Sequence, residues 1–310
     1  MSPEAPLISI VGPTGIGKTK LAIHIAQKFQ GQIISADSRQ IYKMMDIGTA
    51  KPTVDELAAA HHHVIDILFP NHTLTLAEFQ ERAYQIINNI HAQEKLPLLV
   101  GGTGQWVKSV IEGWGIPHVP PDNTLRDKLY HEADTFGAKK LHDKLFQVDP
   151  QAANKIDYRN IRRVVRALEV YYKTGIPISV HQKKTPPPYH IVQIGLTMPR
   201  EQLYERIDKR IDAMMAQGLL AEVQNLVEQG YGLDLPSMSG LGYKQLGLYL
   251  TGELTLDESV ALIKRETRRF IRQQYNWFRL TDENIDWFDV SLSNFEEAAV
   301  MKVATLTCNF

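Results

Sequence analysis

The sequence predicts an α/β fold, a parallel sheet flanked by helices, on three observations. Short β-type runs alternate with helical segments through the first third of the chain. The first run ends in a glycine-rich turn that opens directly into a helix. After a long helical stretch without clear strands, one more β-type run returns before a helical C-terminal part. Strands alternating with helices at this spacing build βαβ units, whose crossovers set neighbouring strands parallel and cover both sheet faces.

Residues 7–11 form the first apolar run, and Leu21, Ile23, Ile25 and Ala26 continue as a helix that stops near Gly31. Residues 32–36 read as a second strand, 63–68 as a third, and 96–100, bounded by Pro97 and Gly101, as a fourth. Between the last two, Thr75-Leu76-Ala77-Glu78 is a capping box opening a helix to about Gln93. Gly115, Pro117, Pro120 and Pro121 then break the chain. The helical texture of 124–174 closes at Gly175, Pro177 and the proline-rich stretch 183–188, and Tyr189–Thr197 reads as a strand rejoining the sheet. Residues 1–115 and 189–310 are therefore expected to form the core with C-terminal helices, and 116–188 an all-helical insertion subdomain.

The chain has 310 residues, 44% hydrophobic and 22% charged, the balance of a folded globular protein and not of a disordered one. Lys+Arg 34 against Asp+Glu 35 leaves −1, so bulk charge gives no argument for nucleic-acid binding and only local basic patches could. A single cysteine, Cys308, excludes a disulfide framework within this chain and fits a cytoplasmic setting. Residues 1–6 lack a basic export region, and no apolar run is long enough to span a membrane.

Gly12-Pro13-Thr14-Gly15-Ile16-Gly17-Lys18-Thr19 fits G-x-x-x-x-G-K-[ST] after a strand and before a helix, which makes the sheet P-loop NTPase-like. Its glycines let backbone N–H groups turn towards phosphate oxygens. The helix N-terminus favours anions, Lys18 neutralises charge, and the Thr19 hydroxyl can ligate Mg²⁺. An ATPase would also show an apolar strand ending in an acid, whereas residues 96–100 run into Gly101-Gly102-Thr103-Gly104. Small-molecule kinases remain compatible with that pattern.

Asp37 follows the second strand on the sheet edge that carries the phosphate loop, where open α/β sheets bind ligands. By position alone it is either a general base or a turn-capping aspartate. The segment Asp37-Ser38-Arg39-Gln40-Ile41-Tyr42-Lys43-Met44-Met45-Asp46-Ile47-Gly48-Thr49-Ala50-Lys51-Pro52, with the phosphate loop, resembles the tRNA dimethylallyltransferase family. The likeness continues through Gly101-Gly102-Thr103-Gly104, Arg166-Ala167-Leu168-Glu169-Val170, the helix with Arg206 and Arg210, Gly242-Tyr243-Lys244-Gln245, and Thr267-Arg268-Arg269 to Trp277-Phe278-Arg279, nearly the whole chain.

The resemblance implies transfer of a dimethylallyl group from dimethylallyl diphosphate to the exocyclic amine of the adenosine 3′-adjacent to the tRNA anticodon. It gives Asp37 the role of base, puts Thr103 next to the reacting groups and Arg210 near the diphosphate, and assigns Gly12 to Thr19 to the diphosphate, with Mg²⁺ as cofactor at Thr19. It also implies contacts of Asp37, Ser38, Arg39, Gln40 and Thr103 with the reacting base. Arg126, Arg162, Arg163, Arg166 and the run Ser239-Gly240-Leu241-Gly242-Tyr243-Lys244 match its wider contacts with the anticodon stem-loop. A monomer is expected. The alternatives are a small-molecule kinase using the same loop for ATP and an RNA-binding module without catalysis.

Arg159, Arg162, Arg163 and Arg166 recur at helical spacing beside an apolar stripe of Ile161, Val164, Val165 and Leu168. A second basic cluster runs from Lys264 and Arg265 through Arg268, Arg269 and Arg272 to Arg279. Each is a solvated face or a phosphate footprint, and two of them on a nearly neutral chain favour the footprint. His61-His62-His63 lack acidic or cysteine partners at ligand spacing and are expected to be structural, as are the four tryptophans.

Overall fold

A computed structural model describes residues 5–307; residues 1–4 and the last three, Cys308 among them, lie outside the described residues. Six strands form one sheet: β1 (Ala5–Val11), β2 (Gly31–Ser35), β3 (His62–His63), β4 (Leu96–Gly101), β5 (Tyr189–Thr197) and β6 (Ile285–Asp289). Their order is β3-β2-β4-β1-β5-β6 and every pairing is parallel. Ile8 of β1 stands opposite Leu98 on one side and Val192 on the other. Leu7, Ile8, Ile10 and Val11 are all fully buried, as an unbroken apolar run should be when helices cover both sheet faces.

The chain separates into two compact units, one formed up to Ile111 and from Pro188 onward, the other by Glu112–Pro187. Helices α1 (Lys18–Lys28), α2 (Val54–Ala59), α3 (Leu76–Ala92) and α4 (Gly104–Ile111) belong to the first. The second holds α5 (Asn123–Phe136), α6 (Ala138–Val148), α7 (Pro150–Lys155), α8 (Ile161–Thr174) and α9 (Ile178–His181), with no strand among them. Helices α10 (Arg200–Ala216), α11 (Leu219–Glu228), α12 (Tyr243–Leu250), α13 (Leu256–Trp277) and α14 (Phe295–Thr307) complete the first unit. The Thr75 capping box is present with both its hydrogen bonds, Thr75 N to Glu78 Oε2 at 2.7 Å and Glu78 N to Thr75 Oγ1 at 3.2 Å.

Two elements differ from the sequence reading. The third strand is only His62–His63, because Val64 and Asp66 take φ of 64° and 54° and turn the chain out of the extended region. Leu68 retains only an isolated bridge to Tyr42. The residues after Leu280 add an edge strand, β6, in register with β5 from Gln193↔Ile285 to Thr197↔Asp289.

The second unit has its own core, in which Leu141, Leu145, Val164, Val165 and Leu168 are at most 1% exposed. Asp122, Asp149 and Asn160 cap α5, α7 and α8, their side chains accepting the N–H of Leu125, Ala152 and Arg163. Gly175, at φ 71°, ends α8 in the left-handed region.

Candidate active site

The phosphate loop leaves the end of β1 and enters α1 through Gly17, whose φ of 109° is left-handed. At Gly12 a side chain has no room, since a Cβ would stand 2.6 Å from the Leu196 carbonyl oxygen. Among the described residues no protein acceptor takes the N–H of Gly15, Ile16 or Gly17, so these donors line an anion nest. Lys18 Nζ donates to the carbonyls of Gly12 at 3.0 Å and Pro13 at 2.8 Å, folding back along the loop. Burial lowers its pKa to about 8, with Asp37 opposing the shift and Arg210 adding to it.

Arg206 and Arg210 lie one turn apart on α10 and both reach the loop. A Cβ on Gly17 would come 3.8 Å from Arg206 Nη2, and one on Gly15 would come 3.7 Å from Arg210 Nη1. Burial first, and then Arg206, lower the Arg210 pKa, while Asp37 raises it. Arg210 is thus half-buried against the loop and not a solvated helix arginine. Arg206, absent from the sequence-based site, carried a usable signal in its i,i+4 spacing to Arg210.

Asp37 emerges from the end of β2. Its Oδ1 accepts the Arg39 N–H at 2.9 Å, so it does serve as a turn-forming aspartate, and it also faces both cavities described next. Across the sheet edge, Thr103 Oγ1 accepts the Ser38 N–H at 3.2 Å. The glycines around Thr103 permit close packing: a Cβ at Gly101 would stand 2.2 Å from the Ala36 carbonyl oxygen, and one at Gly104 would stand 2.2 Å from the Trp277 ring. Gln40 shapes the wall, accepting from Ser35 Oγ at 3.1 Å and donating to the Ala50 carbonyl at 3.1 Å.

Two cavities meet at this edge. One, of about 740 Å³, is lined by the phosphate loop, Thr19, Arg206 and the charged group of Asp46, Lys51 and Asp66. The other, of about 430 Å³, is walled by Ile207, Ile211, Leu219, Ile263, Phe270 and Trp277, with Ser38, Arg39 and Thr103 at its polar side. Lys18, Asp37, Arg210 and Met214 line both. A cavity lined by the glycine-rich loop and basic side chains therefore opens beside an apolar chamber, with a carboxylate where they join.

The run 239–244 also borders the apolar chamber, apart from Lys244, which is exposed. Arg39 holds the start of that run, donating to the Pro236 and Ser237 carbonyls at 2.8 and 3.2 Å and to Ser239 Oγ at 3.1 Å. Tyr243 is 1% exposed and donates its hydroxyl to Glu222 Oε1 at 2.6 Å. Glu222 also accepts the N–H groups of Asp46, Ile47 and Gly48 at 2.9, 2.8 and 3.1 Å, tying the loop after Asp37 to α11.

Within the second unit, Glu169 is fully buried and holds two arginines, accepting from Arg126 Nε and Nη2 at 2.8 Å each and from Arg166 Nη1 at 2.6 Å. Arg162 and Arg163 are exposed and have no acidic partner among the described residues, while Arg159 pairs with Asp157. The second basic cluster is more self-satisfied than its sequence suggests: Lys264 pairs with Asp212, Arg268 with Asp208, and Arg265 and Arg269 with Glu266. His63 binds Gln32 Oε1 at 2.7 Å and is lowered to about 4 by burial and its histidine neighbours, an environment for a neutral structural ring. Trp106 stacks on Phe79 in the core, and Trp277 lines the apolar chamber.

No group of three or more His, Cys, Asp or Glu side chains able to hold a metal exists among the described residues. The Thr19 hydroxyl and the Asp37 carboxylate are among the oxygen donors lining the cavity beside the phosphate loop, together with Asp46, Glu56 and Asp66. That set fits Mg²⁺, which takes few protein ligands and completes its octahedron with water and substrate phosphate oxygens.

A parallel sheet with a glycine-rich loop after β1, a strand-end carboxylate and an adjoining apolar chamber is a P-loop-like α/β arrangement, and the relatives that share it are transferases. Residues 40–281 match the IPP transferase family, and the chain belongs to that family. It is 48% identical over 308 residues to a tRNA dimethylallyltransferase of Dehalococcoides mccartyi, covering 99% of this chain and 93% of that one. It is 53% identical over 274 residues to the tRNA dimethylallyltransferase of a Roseiflexus species, covering 88% and 90%. Among solved structures it resembles the full-length tRNA isopentenylpyrophosphate transferase of Bacillus halodurans, with TM-score 0.72, 39% identity and coverage of 98% and 96%. It also resembles a eukaryotic dimethylallyltransferase acting on tRNA, with TM-score 0.84, 27% identity and coverage of 98% and 80%.

Proposed function

We propose that this protein transfers the dimethylallyl group of dimethylallyl diphosphate to the N6 amine of the adenosine 3′-adjacent to the tRNA anticodon, releasing diphosphate. The observation that carries this reading is the meeting of the phosphate nest and the apolar chamber at Lys18, Asp37 and Arg210. A diphosphate in the nest leaves its allylic chain directed at the apolar walls, and an adenine extruded from an RNA loop can present its amine to Asp37.

The amine nitrogen forms a bond to the allylic C1 as the C1–O bond breaks, and the diphosphate leaves with the bonding pair. The proton lost from nitrogen passes to the Asp37 carboxylate. Adenine N6 is a weak nucleophile because its lone pair is delocalised into the ring, so alignment and a base are both needed. Charge growing on the leaving diphosphate is met by the loop N–H groups, Lys18, Arg206 and Arg210. Mg²⁺, when bound at Thr19 with the diphosphate, supplies further neutralisation of the leaving group.

Ser38, Arg39, Gln40, Thr103 and the 239–244 run are assigned to the acceptor side. Arg126, Arg162, Arg163 and Arg166 are assigned to the wider tRNA footprint, where arginines set register through phosphate. No helix among the described residues is long and apolar enough to cross a membrane. Action on tRNA as a monomer in the cytoplasm is part of the same proposal.

The test is to incubate purified protein and Mg²⁺ with unmodified tRNA and either dimethylallyl diphosphate or ATP, then weigh the nucleosides by mass spectrometry. A dimethylallyl gain on adenosine with the allylic donor alone is expected. ATP consumption without that gain would favour the kinase reading.

A further inference from the structure

We infer that Gln274 is a positioning residue for the transfer, fixing the distance between the donor site and the acceptor site. This rests on the reaction proposed above. Gln274 lies in α13, far in sequence from both loops it joins, and is 3% exposed. Its Oε1 accepts the Thr14 N–H in the phosphate loop at 2.9 Å, and its Nε2 donates to the Gly102 carbonyl at 3.1 Å. One amide thus spans the loop that holds diphosphate and the loop that carries Thr103.

The contact continues to the base. Thr103 Oγ1 accepts the Ser38 N–H, and Ser38 adjoins Asp37. Phosphate loop, Gln274, the Gly102–Thr103 turn and the Asp37 turn are therefore joined by hydrogen bonds and short backbone links. The fit is close: a Cβ at Gly102 would fall 2.2 Å from Gln274 Nε2, so glycine there is what admits the amide. Thr14 N–H is occupied by Gln274, while the N–H groups of Gly15, Ile16 and Gly17 stay free for phosphate. Gln274 thereby braces the loop without consuming the donors that a diphosphate needs.

A misplacement of about 1 Å between reactants costs on the order of 100-fold in rate, so loosening this brace should appear in the chemical step. The experiment compares wild type with Gln274→Met, which keeps volume and helix propensity but has no hydrogen bonds. Gln274→Glu, which can accept from Thr14 but cannot donate to Gly102, is the second variant. Single-turnover transfer, affinities for tRNA and for a non-transferable diphosphate analogue, and thermal midpoints are measured for each.

The expected result is a single-turnover rate reduced about 10- to 100-fold in both variants, with Gln274→Met binding both ligands within about threefold of wild type. Gly102→Ala, whose Cβ would fall 2.2 Å from Gln274 Nε2 and displace the amide, should show a rate defect in the same direction. A rate within twofold of wild type in either Gln274 variant, or a loss confined to ligand affinity, would overturn the positioning role. A wild-type protein that makes no prenylated tRNA would instead overturn the reaction on which it rests.

Discussion

Thr103 Oγ1 and the backbone N–H of Ser38 are joined by a 3.2 Å hydrogen bond that ties the turn after β4 to the turn after β2. The Thr103 hydroxyl also lies 3.5 Å from Ser38 Oγ, at the limit of a hydrogen bond. The turn that carries Asp37 is thus fixed both by this bond at Ser38 and by the Asp37 carboxylate's own bond from the Arg39 N–H. Thr103→Val keeps the shape and removes the acceptor. The expected outcome is about a 10- to 100-fold fall in kcat, larger than the change in tRNA affinity, whereas Thr103→Ser should keep most of the activity. Steady-state kinetics with both substrates varied makes the comparison.

Lys18 gives a pH signature. Its pKa in the free protein is lowered to about 8 by burial, and a bound diphosphate stabilises the ammonium and raises it. Below pH 8 the lysine is already charged and its contribution to affinity is flat. Above pH 8 binding must take up a proton, so affinity for a non-transferable donor analogue should fall towards tenfold per pH unit. Calorimetric titrations from pH 7 to about 9.5 should show that fall in wild type and lose the Lys18 step in Lys18→Met.

The Glu222 carboxylate gathers three backbone N–H groups and the Tyr243 hydroxyl. Tyr243→Phe removes one charge-assisted bond and leaves the other three. A stability loss of about 1.5–3 kcal/mol is expected from urea denaturation. Glu222→Ala orphans all four donors and should lose more.

Burial pushes the Glu169 carboxyl up, but bonds from Arg126, the Asp122 N–H and Arg166 outweigh it and hold it below the usual carboxylate range. A carboxylate depressed in the folded state stabilises the fold above its unfolded pKa, and that stabilisation is lost as pH falls through the folded value. Glu169→Ala leaves two guanidinium groups without their partner and should cost about 3–5 kcal/mol at neutral pH. The gap to wild type should narrow as pH drops below about 4. Denaturation curves across that range check both the size and the sign.

β1 and β4 are legible in the sequence because burial on both faces leaves a near-continuous apolar run, and β5, only partly buried, is legible from its β-type residues between the proline stretch and Pro199. The third strand is shorter than its sequence implies because a β-type pattern at 63–68 does not disclose positive φ at Val64 and Asp66. β6 is five residues long at a sheet edge, and Ile285-Asp286-Trp287-Phe288-Asp289 alternates too weakly to stand out. At the site, the phosphate loop and Asp37 were legible as local motifs. Gln274 was not, since its role exists only when α13 packs across the loops, yet it had a trace. The buried stripe of α13 runs Ser259, Ile263, Thr267, Ile271, Gln274, and an amide in such a stripe must find partners inside. On α13 the acids that pair with Lys264 and Arg268 come from α10, so those pairings are not readable from the basic run itself.

Replacement of Asp37 by Asn is the most direct test of its place at the junction of the two cavities. Single-turnover transfer to tRNA would be measured beside the affinities for tRNA and for a non-transferable donor analogue. Transfer reduced by at least about 100-fold with both affinities near wild type is the result expected of a lost base. Transfer at the wild-type rate would contradict it and remove Asp37 from the chemistry.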